Sequence, residues 1–388
     1  MLSHFATKCH VGLLALLLFA GSWCSAQDKT AEPDPTLEKL SAAIKRDPAD
    51  SAAYARRANL WHTKGELEKA LLDCTEAIRL DAKCAEAYGI RGLVWNAKEE
   101  FAKAVHDFDA VLRLAPKDSG AYTNRGIARK GLGEVDQAIE DYTEAIRLNP
   151  KDPTTLILRG QAWESKKKSD KAMRDFDEAI RIAPKESLGY ANRGIVMQDH
   201  GKIDKALDDF NIAIRLDPRD ATTYVLRGIA WNSKGDTEKA LTDYNKAIQI
   251  DPANDEAFIN RALAWQAKGE WEKALKDCAT ATRLDPKSPA GLQLQSWIWA
   301  TCSNSKFRDG KKALVAATRA SELSDGKDAA VIEALAAAHA ELGRFDDAAK
   351  SQKKAVEIMA SEKDEDLAEA EARLKLYESR KPFRDEKK

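Results

Sequence analysis

The stretch NRGIARKGLGEVDQAIEDYTEAIRLNP occupies residues 124–150, and it recurs along the chain. Close copies begin 68 and 136 residues later: NRGIVMQDHGKIDKALDDFNIAIRLDP at 192–218 and NRALAWQAKGEWEKALKDCATATRLDP at 260–286. A looser copy lies halfway between each pair of close copies. A fixed period of this size is typical of stacked structural repeats, in which each repeat contacts only its neighbours.

The basic period of the chain is 34 residues. Prolines mark it at positions 116, 150, 184, 218, 252 and 286. Alanines mark it at positions 70, 104, 138, 172, 206, 240 and 274. Glycine or alanine marks it at positions 58, 92, 126, 160, 194, 228 and 262, and an aromatic residue or leucine at positions 54, 88, 122, 156, 190, 224 and 258.

Each period predicts two helices. In residues 119–133 and 134–148, apolar and small side chains recur at steps of three and four, which places them on one helical face. Gly133 predicts the end of the first helix through a left-handed turn, and Pro150 prevents the second from continuing. One such pair cannot bury its apolar face alone, so neighbouring pairs must complete the core.

This pattern resembles the tetratricopeptide repeat (TPR) family, which has the same period, aromatic residue, small residue, alanines and closing proline. The resemblance implies an all-α fold: a right-handed α-solenoid of about nine helix-turn-helix units, with a concave face lined by the first helix of each unit. Seven units are regular: 51–84, 85–118, 119–152, 153–186, 187–220, 221–254 and 255–288.

The flanking segments extend the array. Residues 36–50 look like a degenerate half repeat, and 289–328 like a divergent unit with about five residues inserted between its helices. A ninth unit is predicted at 329–362. The amphipathic segment 363–380 is expected to be the capping helix that keeps a stacked array soluble, followed by a tail at 381–388.

Residues 1–26 have the layout of a secretory signal peptide: a cation, an apolar run too short to span a bilayer, and small residues before a predicted cleavage after Ala26. A linker is expected at 27–35. The sequence therefore predicts a periplasmic or secreted protein that is not an integral membrane protein. Lipid attachment at Cys24 and an uncleaved anchor are the alternatives.

Composition narrows the partner classes. The chain has 62 basic and 63 acidic residues, and this balance argues against a nucleic-acid partner.

After signal removal Cys74, Cys84, Cys278 and Cys302 remain, without a CxxC pair, so small buried side chains are expected rather than a zinc site. Whether any of them form disulfides stays open.

Two charged ladders and one aromatic ladder recur in the repeats. Arginines occupy the seventh place of every regular unit, at positions 57, 91, 125, 159, 193, 227 and 261. Aspartates occupy the twenty-third, at positions 73, 107, 141, 175, 209, 243 and 277. An acidic ligand is one interpretation, but the matched signs favour Arg–Asp pairs within or between units. Tryptophans at positions 61, 95, 163, 231, 265 and 299 are expected to pack between helices.

The 68-residue alternation suggests a partner-binding set. Asparagine alternates with an aliphatic residue at the sixth place, and aliphatic residues lie one step further along the same helix face. The predicted partner-binding residues are Asn124, Ile127, Asn192, Ile195, Asn260 and Leu263. They would bind an extended peptide across units 3 to 7; the structural alternative is that each asparagine bonds a neighbouring helix. The lysines of a carboxylate clamp are absent beside them.

No catalytic, metal or cofactor residue is predicted. The chain has no nucleotide-binding glycine loop, no HExxH and no GxSxG, and its histidines are scattered over distant repeats. We therefore expect a non-enzymatic scaffold, without small-molecule cofactor, that binds a polypeptide in its concave groove. The alternatives are a self-associating structural protein of the envelope and, less favoured, an unrecognised enzyme.

Overall fold

The computed structural model describes residues 34–362, 364 and 366–385. The predicted signal peptide and most of the predicted linker lie outside this range. The described residues form two compact modules, 34–196 and 197–385, each of them a stack of helix pairs. The all-α prediction is confirmed. None of the described helices is long and apolar enough to cross a membrane.

Twenty α-helices follow one another in the described part of the chain. The first ten are α1 (Pro35–Arg46), α2 (Ser51–Thr63), α3 (Leu67–Leu80), α4 (Ala85–Ala97), α5 (Phe101–Leu114), α6 (Ser119–Gly131), α7 (Val135–Leu148), α8 (Pro153–Ser165), α9 (Ser169–Ile182) and α10 (Ser187–Asp199). The others are α11 (Ile203–Leu216), α12 (Ala221–Ser233), α13 (Thr237–Ile250), α14 (Asp255–Lys268), α15 (Trp271–Leu284), α16 (Ala290–Thr301), α17 (Gly310–Leu323), α18 (Ala329–Glu341), α19 (Phe345–Glu362) and α20 (Leu367–Glu378). The module boundary falls within α10.

We call the first helix of each repeat its A helix and the second its B helix; the A helices are thus the even-numbered ones from α2 to α18. An A helix packs on its B helix where a small residue faces an aromatic ring. A Cβ atom built on Gly126 would lie 2.6 Å from the Tyr142 ring, so no larger residue fits without displacing that ring. The 34-residue alanine ladder is fully buried, with every member from Ala70 to Ala274 at 0% exposure.

Side chains and backbone conformation set the helix ends. The residue before several A helices accepts hydrogen bonds from the first-turn N–H groups, as Asp118 does from Ala121 at 3.0 Å. The turn to the B helix requires a left-handed residue, and Gly133 provides it with φ of 80°. At the equivalent places of two other repeats the chain has Glu99 and Lys167, which adopt φ of 58° and 55° despite their side chains.

The C-terminal repeats deviate as predicted from the slip in the pattern. Eight residues separate α16 from α17, and they contain a short 3-10 helix at Ser305–Phe307. Helix α20 covers the end of the stack, within the predicted capping segment. Its Arg373 forms an ion pair of 2.9 Å with Glu333 of α18, and both side chains are buried. Tyr377, at 1% exposure, anchors the other end of α20.

Candidate functional site

The arginines at the seventh place of the repeats form ion pairs with aspartates of the same repeat or the preceding one. Arg125 Nε and Nη2 donate to the two carboxylate oxygens of Asp141 at 3.0 and 2.6 Å, and its Nη1 donates to Asp109 of the preceding repeat at 2.6 Å. The same two-bond pairing recurs at Arg57–Asp73, Arg91–Asp107, Arg159–Asp175, Arg227–Asp243 and Arg261–Asp277. The predicted structural role is confirmed, and these guanidinium groups are not directed at an acidic ligand.

Five of the six recurring tryptophans have a lysine ammonium group above the ring. The Trp95 ring is half-buried, contacts the core of its repeat, and lies 4.5 Å from the ammonium group of Lys103 on the B helix. Comparable pairs are Trp61–Lys69, Trp163–Lys171, Trp231–Lys239 and Trp265–Lys273. These rings pack within a repeat, as the sequence predicts, and they also form cation–π contacts, which were not predicted from the sequence.

The predicted partner-binding residues differ in accessibility. Asn192, Ile195, Asn260 and Leu263 are buried, at 0%, 1%, 4% and 7% exposure. Asn124 and Ile127 are half-buried. A partner reaches only the last two without a rearrangement of the A helices. The binding role of the set stays a prediction.

The amide groups of these asparagines are used within the A helices. The side-chain nitrogens of Asn124, Asn192 and Asn260 each donate to the carbonyl oxygen four residues earlier, at 2.8, 2.8 and 2.9 Å. In addition, Asn192 Oδ1 accepts a bond of 3.0 Å from Gln161 Nε2 of the preceding A helix. At Asn192 the geometry therefore matches the structural alternative, a polar contact that joins two A helices.

Other polar side chains join successive A helices in the N-terminal module. Thr123 and Thr155 share a hydrogen bond of 2.8 Å between their hydroxyl groups, and Asn96 donates to the carbonyl of Asn124 at 3.1 Å. Lys130 Nζ lies 3.5 Å from Gln161 Oε1, and burial lowers the pKa of this lysine. Several polar side chains on the A-helix face of this module thus form hydrogen bonds between successive A helices.

The titratable groups of the described residues do not assemble into a metal site. No group of three His, Cys, Asp or Glu side chains there could hold a metal ion. All four described cysteines are free, and burial raises the pKa of the Cys74 thiol to about 12, which disfavours the nucleophilic thiolate. Burial, reinforced by the neighbouring charge of Asp255, raises the pKa of Glu256 to about 7.

The chain reverses direction after α20 and returns along the A helices. Arg380 adopts a left-handed φ of 57°, and its N–H donates to the Tyr377 carbonyl at 2.9 Å. The N–H of Lys381 donates to Leu376 at 2.9 Å. Residues 381–385, which we call the docked segment, are not helical and lie against three A helices of the C-terminal module.

Each of the last three residues of the docked segment meets a matching group. The Phe383 ring lies 5.7 Å from the Trp297 ring of α16. Arg384 Nη2 forms an ion pair of 2.6 Å with Glu341 of α18, and Nη1 donates to the Ala300 carbonyl at 3.1 Å.

Asp385 makes the remaining contacts, with both its backbone and its side chain. Its N–H donates to the Thr301 carbonyl at 2.9 Å, in a parallel β-bridge with Cys302. Its carboxylate accepts a bond of 2.8 Å from Gln266 Nε2 of α14. The A-helix face therefore holds a non-helical peptide by aromatic, ionic and main-chain contacts, and no part of the 34-residue pattern indicates it.

Models of the tetratricopeptide repeat match residues 37–83 and 119–152, and a model described as TPR repeat matches residues 232–269. The chain is a tetratricopeptide repeat protein. The second match coincides with the regular TPR unit 119–152 that the sequence predicts. No curated protein matches the chain in sequence.

Solved structures share the TPR architecture. A tetratricopeptide repeat protein from Parabacteroides merdae aligns with 67% of this chain and 98% of its own length, at 21% identity and a TM-score of 0.53. The APC/C hetero-tetramer Cut9–Hcn1 gives 14% identity and a TM-score of 0.55, over 78% of this chain and 58% of that chain. The human IFIT1 dimer with m7Gppp-AAAA gives 13% and 0.52, over 86% and 96%. At these identities the likeness shows the fold alone.

Proposed function

We propose that this TPR protein is an exported, non-enzymatic scaffold that binds a polypeptide partner along the A-helix face of its repeats. The observation that supports this most directly is the docked segment. A non-helical peptide held by three A helices supports peptide binding at this face, because an aromatic ring, a carboxylate and main-chain carbonyl groups of these helices contact it.

A peptide ligand suits the chemistry of this face better than a small molecule. The contacts to the docked segment are spread over α14, α16 and α18, rather than gathered in one enclosed cavity. A ligand that satisfies them must present in series an aromatic ring, a guanidinium group, a carboxylate and a main-chain N–H group. A polypeptide has these groups at the required spacing, while most metabolites do not.

The experiment compares the two faces of one repeat by photo-crosslinking in the native cell. Asn59 of α2 and Leu72 of α3 are both exposed and belong to the same repeat. Asn59 occupies on its A helix the place that Ile127 occupies on α6, and Leu72 is the B-helix control. A photoreactive phenylalanine analogue is introduced at each position in turn.

We expect a discrete crosslinked polypeptide from position 59 and none from position 72. Equal crosslinking from both positions, or none from position 59 at full expression, would contradict binding along the A helices. Export is tested on the same material by mass spectrometry: we expect a mature N-terminus at Gln27. A protein that retains Met1, or has lipid on Cys24, would contradict soluble export.

A further inference from the structure

The docked segment is separable from the fold that receives it. Its residues Pro382, Phe383, Arg384 and Asp385 are only half-buried. Helix α20 keeps its own attachment, because Tyr377 is buried and the amide of the buried Gln352 donates to the Ala370 carbonyl at 3.0 Å. Phe383 also touches α20, because its ring lies 5.7 Å from the Arg373 guanidinium group and packs against the cluster that contains Tyr377. The Gln352–Ala370 bond and the Arg373–Glu333 ion pair do not involve the segment, so they hold the capping helix when residues 383–385 leave the A helices.

The contacts select a particular order of side chains. Trp297 receives an aromatic ring, Glu341 receives the guanidinium group of the next residue, and Gln266 receives the carboxylate of the residue after it. Two of these three contacts involve a charged group on the segment, and a bond to a charged group contributes more than one between neutral groups. The site therefore favours a segment that has an aromatic residue, an arginine and an acidic residue in consecutive positions.

Covalent attachment favours occupancy by the chain's own segment. Only Ser379 and Arg380 separate α20 from Lys381, and the left-handed turn at Arg380 directs the chain back towards α18 and α16. A short connection of this kind gives an effective concentration in the millimolar range. An external peptide must compete with this segment, and its apparent affinity falls with the fraction of molecules whose site is open.

We infer that the face formed by Gln266, Trp297, Thr301 and Glu341 is a recognition site for a partner segment with an aromatic residue, an arginine and an acidic residue in series, and that the docked segment is its intramolecular competitor. This inference rests on the proposed function and names its ligand class and its regulation. The resting chain is closed at this site, and a partner binds by displacing residues 383–385.

The test uses the full chain and a fluorescein-labelled peptide, KPFRDEKK, which has the sequence of residues 381–388. Binding is followed by fluorescence anisotropy to the unaltered chain and to a Phe383→Ala/Arg384→Ala double variant, in which the segment loses its ring and its ion pair. We expect the double variant to bind the peptide at least ten-fold more tightly. Replacement of the peptide's phenylalanine by alanine should weaken that binding at least ten-fold.

Two controls keep the result interpretable. Adding Gln266→Ala to the double variant removes the bond to the peptide's aspartate and should weaken binding several-fold. Circular dichroism shows whether each variant is folded; if the double variant is not, the milder Asp385→Ala should shift affinity in the same direction by a smaller factor.

Equal peptide affinity of the unaltered chain and a folded double variant would overturn the inference, as would equal binding of the peptide without its phenylalanine. A concentration-dependent dimer of the unaltered chain in light scattering, lost in the double variant, would show exchange of the segment between copies and overturn intramolecular competition. The proposed function is judged separately, because crosslinking at position 59 in the N-terminal module does not depend on this peptide.

Discussion

In two of the described repeats the turn from the A helix to the B helix contains a strained residue that glycine would relieve. Glu99 and Lys167 lie at the place where other repeats have glycine, with φ of 58° and 55°. A residue with a Cβ atom in this region costs about 1–2 kcal/mol. Glycine also increases the conformational entropy of the unfolded chain, and this effect offsets about 0.4–1 kcal/mol of the stability gained by relieving the strain. We therefore expect Glu99→Gly and Lys167→Gly each to raise the free energy of unfolding by about 0.5–1 kcal/mol.

The reverse substitution is the matched control. A Cβ atom added to Gly133 would meet no atom within 4 Å, so Gly133→Ala has only a backbone cost. We expect it to lower the free energy of unfolding by about 1 kcal/mol. The assay is urea unfolding followed by circular dichroism, with the Glu99→Gly/Lys167→Gly double variant expected near the sum of the single effects because the two turns are two repeats apart. A neutral Gly133→Ala together with a destabilising Glu99→Gly would refute the reasoning.

Three further substitutions test the burial of Ala206, the structural role of Asn192 and the raised pKa of Glu256. Ala206 is fully buried, so Ala206→Glu should lower the free energy of unfolding by several kcal/mol; melting within two degrees of the unaltered chain would contradict the repeat register. Asn192→Ala should lower the free energy of unfolding by about 1–3 kcal/mol, because it removes the bond to Gln161. Asp204 is the control: its side chain is 81% exposed, so Asp204→Ala should leave the free energy of unfolding nearly unchanged. Unchanged partner affinity in Asn192→Ala would leave that asparagine a structural role only. The pKa of Glu256 is raised from 4.5 to about 7 in the folded chain, so the folded chain binds a proton there more tightly than the unfolded chain does. This tighter proton binding stabilises the fold below pH 4.5, and the stabilisation, up to about 3 kcal/mol, is lost as the pH rises to about 7. Glu256→Gln should therefore unfold at higher urea than the unaltered chain at pH 8 and at similar urea at pH 4; equal midpoints at pH 8 would contradict the shift.

The helix pairs could be predicted from sequence because their determinants are local. Gly126 admits the Tyr142 ring, Gly133 allows the left-handed turn, and Pro150 ends the second helix, each within one period. The Arg–Asp pairs were predictable for the same reason, since both ladders have one period.

The accessibility of the candidate site could not be predicted in the same way. The sixth and ninth places of an A helix are exposed or buried according to how closely the next A helix approaches, and Gln161 covers Asn192 from the preceding repeat. The docked segment could not be predicted from the repeat pattern either. Its bond between Gln266 and Asp385 joins residues 119 positions apart, and no 34-residue period links them. Such contacts depend on the assembled stack rather than on one repeat.

We propose that the A-helix face is the surface that binds polypeptide. Hydrogen–deuterium exchange of the Phe383→Ala/Arg384→Ala chain, with and without the KPFRDEKK peptide, tests it most directly. We expect slower exchange on peptide addition at the C-terminal ends of α16 and α18, around residues 297–303 and 338–343, and unchanged exchange in the B helices α15 and α17. Protection confined to the B helices, or no protection at saturating peptide, would contradict it.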